Sequence, residues 1–194
     1  RCYSTITPTS ASAEKPVPVL FWFHASGGDA SNCGQMRGAD DSGKSLAELA
    51  GENGFALICG EANQYPSGGQ WDIPVVMNDT TGNQCNSTDT GAYEITYLQN
   101  IVDGLSMAKI YNAEQMFTSG CSQGSAMSFY SATCLTKMFD PTFVSAFATH
   151  STGYKVKGDG ITLPLIGPNI ENGTYANTTW GECPECKYFP AVVE

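Results

Sequence analysis

Short apolar runs alternate along this chain with stretches of helical spacing, a pattern that predicts a sheet built from strand–helix units. The run Pro16-Val17-Pro18-Val19-Leu20-Phe21-Trp22-Phe23-His24 is apolar almost throughout, with proline only near its start, as in a central parallel strand covered on both faces. A glycine turn, Ala25-Ser26-Gly27-Gly28-Asp29-Ala30, follows it. Residues 45–53 carry Leu46, Leu49 and Ala50 at helical spacing and close at Gly54, and 55–59 form the next strand. Residues 60–90 are rich in Gly, Asn, Pro, Ser and Thr, which predicts a long loop, either on the substrate side or pinned to the surface by disulfides. A longer helix is expected over 91–108, capped by Asp89 or Thr90, with Tyr93, Tyr97, Ile101 and Leu105 along one face. Strands are expected at 115–119, 142–148 and 161–166, while 167–194 is polar and carries no periodic core signal. No repeat or linker divides the chain, so 1–194 reads as a single α/β domain with a mostly parallel sheet and helices on both faces.

Between the strand at 115–119 and the helix after it stands Gly120-Cys121-Ser122-Gln123-Gly124, a G-x-S-x-G pentapeptide at a strand-to-helix turn. Its glycines let the backbone turn sharply past the serine, and the small residues that open the helix let the turn pack on the sheet. The Ser122 hydroxyl is then presented beyond the strand's C-terminal end, which nominates it as a nucleophile. In a chain this rich in Gly and Ser the bare motif arises by chance, and the strand–helix setting is what gives it weight. His24 and His150 also fall at C-terminal ends of predicted strands, the edge where parallel sheets place their sites.

Composition narrows the partners. A formal charge of -10 with nine Lys+Arg argues against nucleic acid and anionic membrane surfaces, and suits a neutral or polymer-linked substrate. No apolar run approaches the ~20 residues of a membrane span, and the first residues lack the layout of a signal peptide, so any leader is expected to have been removed or to lie outside this sequence. Eight widely spread cysteines suit a disulfide-bonded extracellular protein, and sequons at Asn78, Asn86, Asn172 and Asn177 predict N-glycans. Disulfide connectivity stays open, except that Cys121 and Cys134 would sit at opposite ends of a helix, some ~18 Å apart, beyond bonding reach. Cys183-Pro184-Glu185-Cys186 has no second Cys/His pair to complete a zinc site, so no metal or cofactor is expected.

With these residues in view, the chain resembles the secreted α/β-hydrolases that include feruloyl esterases and polyhydroxybutyrate depolymerases. The likeness spans nearly the whole sequence: 1–8 as the incoming edge strand, 20–28 as the His-Gly oxyanion turn, Asp89-Thr90-Gly91-Ala92 as the Asp-x-Gly helix start, and 118–127 as the nucleophile region. The resemblance implies ester hydrolysis through an acyl-enzyme, in which Ser122 attacks, a histidine removes its proton and an acid orients the histidine. The oxyanion donors it implies are the backbone N–H groups of Gln123 and of Ser26 or Ala25. There are two departures. Ala25 stands where the family has glycine after the histidine, and the chain stops before the strands that carry the family's acid and histidine. The expected fold is thus an α/β-hydrolase without its last strands. Its catalytic Asp and His would lie outside this chain, on a companion C-terminal fragment or further polypeptide.

The remaining candidates each have a plain structural alternative. Only Asp140 lies between Ser122 and His150, but it falls at the sheet edge opposite the site. His150 either approaches Ser122 or is a pocket-lining or surface histidine, and His24 is expected to tie down its turn through the ring nitrogens. Trp71 either walls a substrate cleft or packs beneath the long loop, Asp89 caps a helix, and Cys121 points into the fold. The reading is a secreted serine esterase acting on a carboxylic ester. Its alternatives are an inactive extracellular glycoprotein that keeps the hydrolase scaffold, and an unrelated α/β domain with a coincidental motif.

Overall fold

The computed structural model describes residues 1–35, 43–65, 68–73, 76–77, 92–138, 144–150, 155–158, 161–164 and 191–192. The main sheet is six-stranded and contains β1 (Tyr3–Ile6), β2 (Val17–Phe23), β3 (Ala56–Gly60), β7 (Tyr111–Cys121), β8 (Val144–His150) and β11 (Ala191–Val192), in the order β1-β3-β2-β7-β8-β11. Every neighbouring pair is parallel except the edge pair, in which β1 runs antiparallel to β3. Asn63–Tyr65 (β4) pairs with Gly68–Gln70 (β5), and Val76–Met77 (β6), Lys155–Gly158 (β9) and Ile161–Pro164 (β10) form a further small sheet. The helices are α1 (Leu46–Asn53), α2 (Ala92–Ala108) and α3 (Gln123–Met138), with a 3-10 helix over Ala30–Gln35.

The alternation of side chains along β2 divides the core. Val19, Phe21 and Phe23 join α2 and α3 on one face, through Leu98, Ile101, Met127, Phe129 and Tyr130. Leu20 and Trp22 pack on the other face with α1, Leu57 and the Cys33–Cys59 disulfide, whose Cα atoms are 5.9 Å apart. Cys134 is also disulfide-bonded, while Cys121 is a thiol, so these two are not joined to each other. Cys85, Cys183, Cys186 and the four sequon asparagines lie outside the described residues, as do Asp89, Thr90 and Asp140.

Local signals explain α1. The Ser45 hydroxyl accepts the Glu48 N–H at 3.2 Å, the Glu48 carboxylate accepts the Ser45 N–H at 2.7 Å, and Gly54 closes the helix at φ 70. Three expectations need correction. Tyr93 is 74% exposed; Tyr97, Ile101 and Leu105 of the expected row are buried, joined by Ile95, Leu98 and Val102, because a strict i, i+4 row drifts around a helix of 3.6 residues per turn. The stretch 60–90 is not loop alone, since β4, β5 and β6 fall within it. The polar tail contributes β11, which pairs Ala191 with Ala146 and Val192 with Phe147; a two-residue strand is too short to show a periodic pattern.

Candidate active site

The site grows out of the join between β7 and α3. Ser122 adopts φ 54, a left-handed conformation that non-glycine residues seldom take, and its side chain is exposed. The flanking glycines make that turn possible. A Cβ on Gly124 would lie 2.0 Å from the Phe23 carbonyl oxygen, and one on Gly120 would lie 2.4 Å from the Gly124 carbonyl oxygen, in both cases against backbone that cannot yield. The first turn of α3 therefore presses on the end of β2, whose Phe23 is in register with Gly120. Three fully buried serines permit the close approach. Ser125 donates to the Gly120 carbonyl at 2.7 Å, Ser128 to the Thr118 hydroxyl at 3.0 Å and Ser131 to the Ser128 carbonyl at 2.9 Å.

Beside the serine stands the turn after β2. The Gly28 N–H donates to the Ala25 carbonyl at 3.0 Å, and Gly27 has φ 79, as at the third position of a type II turn. Ala25 occupies the first position, where glycine is not required, so its departure from the family pattern leaves the turn intact. The ring of His24, 6% exposed, uses both nitrogens for structure: Nδ1 faces the Ala25 carbonyl at 2.7 Å and Nε2 accepts the Ala62 N–H at 3.2 Å. These partners assign the Nδ1–H tautomer and leave no ring nitrogen to take a proton from Ser122. His150 ends β8 with its Cα in register with Cys121, next to the nucleophile turn.

Trp71 is 2% exposed and packs edge-on to Phe23, with ring centroids 5.2 Å apart, while its indole N–H donates to the His24 carbonyl at 2.8 Å. Its side chain is part of the buried cluster beneath β2 and α3. The neighbouring Asp72 N–H donates at 2.9 Å to Glu94, a fully buried carboxylate that also holds the Arg1 guanidinium through contacts of 2.9 and 2.7 Å. The side chain of Gln123 reaches both neighbouring segments. Its Oε1 accepts the Ser26 hydroxyl at 3.0 Å and the Trp71 N–H at 3.1 Å, and its Nε2 donates to the Trp71 carbonyl at 3.0 Å. Sequence reading missed this role of Gln123, and that of Glu94, because their partners are distant in the chain. Among the described residues no cluster of His, Cys, Asp and Glu is arranged to hold a metal ion, and no helix is long and apolar enough to cross a membrane.

No protein-family model matches the sequence, and no curated protein matches it. Solved structures do. An acetyl xylan esterase from Aspergillus awamori superposes with a TM-score of 0.54 at 19% identity, over 76% of this chain and 45% of that one. An S-formylglutathione hydrolase from Staphylococcus aureus gives 0.53 at 15% identity, over 77% and 50%. The fluorophosphonate-binding serine hydrolase FphF from Staphylococcus aureus gives 0.52 at 14% identity, over the same shares of 77% and 50%. The chain thus spans about half the length of these structures. They do not single out the feruloyl esterase and polyhydroxybutyrate depolymerase group, but they share with this chain a mostly parallel sheet flanked by helices, and the fold is that of the α/β-hydrolases.

Proposed function

We propose that this chain is the nucleophile-bearing part of a secreted serine ester hydrolase. One observation carries the reading: Ser122 is exposed at φ 54 between two glycines that have no room for a side chain, the geometry of a nucleophile turn. In this reading the Ser122 Oγ attacks the ester carbonyl while a histidine accepts its proton. The tetrahedral intermediate collapses as that proton passes to the departing alcohol, and water then releases the acid from the acyl-enzyme. The oxyanion sits between the N–H of Gln123, one of the first donors of α3 that no intrahelical carbonyl reaches, and the N–H of Ser26 or Ala25 in the adjoining turn. The histidine and its acid are proposed to come from polypeptide beyond these residues, because His24 is committed to its turn and Asp140, which alone lies between Ser122 and the other histidine, His150, is expected at the sheet edge opposite the site. The half-length coverage of the structural neighbours supports this.

The substrate is proposed to be a feruloyl-type or polyester-like carboxylic ester, small or polymer-linked; the net charge of -10 suits a neutral one. Secretion and N-glycosylation are proposed from the cysteines and sequons, with support from the Cys33–Cys59 bond. The occupied ring of His24 favours one competing reading, a hydrolase scaffold kept for binding. Hydrolysis of p-nitrophenyl acetate and methyl ferulate by the full-length protein separates the two. Turnover that disappears in Ser122→Ala is expected, and turnover indifferent to that substitution would exclude the esterase.

A further inference from the structure

The side chain of Gln123 joins three segments that only the folded chain brings together. Ser26 is 97 residues away in sequence and Trp71 is 52 away, yet a single amide accepts from the Ser26 hydroxyl and binds both the N–H and the C=O of Trp71. Every polar handle on the Trp71-Asp72 segment named above is tied to a different element: the Trp71 backbone to α3 through Gln123, its indole N–H to the His24 carbonyl, and the Asp72 N–H to Glu94 on α2. The turn itself is held from the same side, with the Gly27 N–H donating to the Gly69 carbonyl at 2.7 Å and Gly68 packed directly against Gly27. Residues 68–72 therefore form a strut between the nucleophile helix and the turn after β2. Gln123 is the link that touches both ends of it.

We propose that the Gln123 side chain is a positioning residue for the oxyanion hole, and this rests on the serine-hydrolase reading above. Its backbone N–H is one oxyanion donor, and its amide, through the Ser26 hydroxyl and the Trp71 backbone, sets where the second donor in the 25–28 turn stands relative to the first. Two donors act together only when both lie about 2.7–3.1 Å from the developing oxyanion, a separation that loosening of either segment destroys. The link is worth most in the transition state, where the negative charge forms, and little in the ground state. It is also specific to an amide. Glutamate has the same shape and keeps an acceptor for Ser26 and the Trp71 N–H, but it loses the donor to the Trp71 carbonyl and sets a carboxylate oxygen against it.

The test uses full-length protein carrying Gln123→Ala, Gln123→Glu, Ser26→Ala or the Gln123→Ala/Ser26→Ala pair. Each is assayed on p-nitrophenyl acetate for kcat and KM separately, and titrated with phenylboronic acid, whose tetrahedral adduct on the serine oxygen imitates the oxyanion. The expected result is a kcat lowered about 10-fold or more in both Gln123 variants with KM within about twofold, and a parallel loss of boronate affinity. Ser26→Ala should lose less, and the double variant less than the product of the singles, because both act through one link. A lower thermal midpoint with kcat unchanged, in the isosteric Gln123→Glu or in Ser26→Ala, would assign a structural role and overturn the proposal while leaving the hydrolase reading in place. Wild-type protein without Ser122-dependent turnover would overturn that reading and this proposal with it.

Discussion

Gly124 stands where no side chain fits, and this single position shows how the site depends on its backbone. A methyl group there would lie 2.0 Å from the Phe23 oxygen and 2.6 Å from the His24 oxygen, so Gly124→Ala must part α3 from β2. The expected cost exceeds about 4 kcal/mol, read as a loss of soluble protein or a large fall in urea midpoint. Ser122 presents the opposite case. Its φ of 54 is strained for serine and ordinary for glycine, so Ser122→Gly should raise stability by about 1 kcal/mol in thermal melts while removing the hydroxyl. A lower melting temperature would contradict the strained turn. The position of Ser122 was legible in the sequence because the signal is local, with glycine on either side of a strand–helix boundary. The amide of Gln123 was not, since nothing near it in sequence names Ser26 or Trp71 as its partners.

Elements with local punctuation were the most legible. α1 was legible from the spacing of Leu46, Leu49 and Ala50 and from Gly54 after them, and the structure adds a capping box of Ser45 and Glu48 to that left-handed closure. Ser45→Ala should lower stability by about 1 kcal/mol in denaturant titration, and no change would mean that the box contributes nothing. Strand β2 was legible from its unbroken apolar run, whereas β9 and β11 lack one, being only four and two residues long. Helix α2 carries a titratable consequence. Burial first of all pushes the Tyr97 phenol up to about 12, partly offset by the Glu61 N–H that it accepts, and burial raises Tyr130 as well, with Glu94 and Asp72 adding to the effect. A phenol held neutral by the fold but ionised near pH 10 once unfolded stabilises the native state fully below about pH 10. That contribution falls as the pH rises through 12, the folded value of Tyr97. Thermal midpoints should therefore decline above about pH 10, and Tyr97→Phe should flatten the decline while losing the 2.6 Å bond that its hydroxyl donates to the Cys2 carbonyl.

For the molecule as a whole, the parallel sheet brings to one edge the groups that the chain order keeps apart: the turn after β2, the nucleophile after β7 and the end of β8. That convergence was legible from the alternation of strands and helices alone. Disulfide pairing was not, because cysteine spacing does not define which partners meet. The Cys33–Cys59 bond closes a 26-residue separation across the second core, and Cys33→Ala/Cys59→Ala should cost about 3 kcal/mol in chemical denaturation, by the loop-entropy relation. The central claim, that this scaffold carries an activated serine at position 122, is tested most directly by covalent trapping. Full-length protein is treated with a fluorophosphonate probe, and the modified peptide is located by mass spectrometry. The account predicts a single adduct on Ser122, absent from Ser122→Ala and from heat-unfolded protein; a folded full-length protein that takes no label, or takes it on another residue, would contradict it.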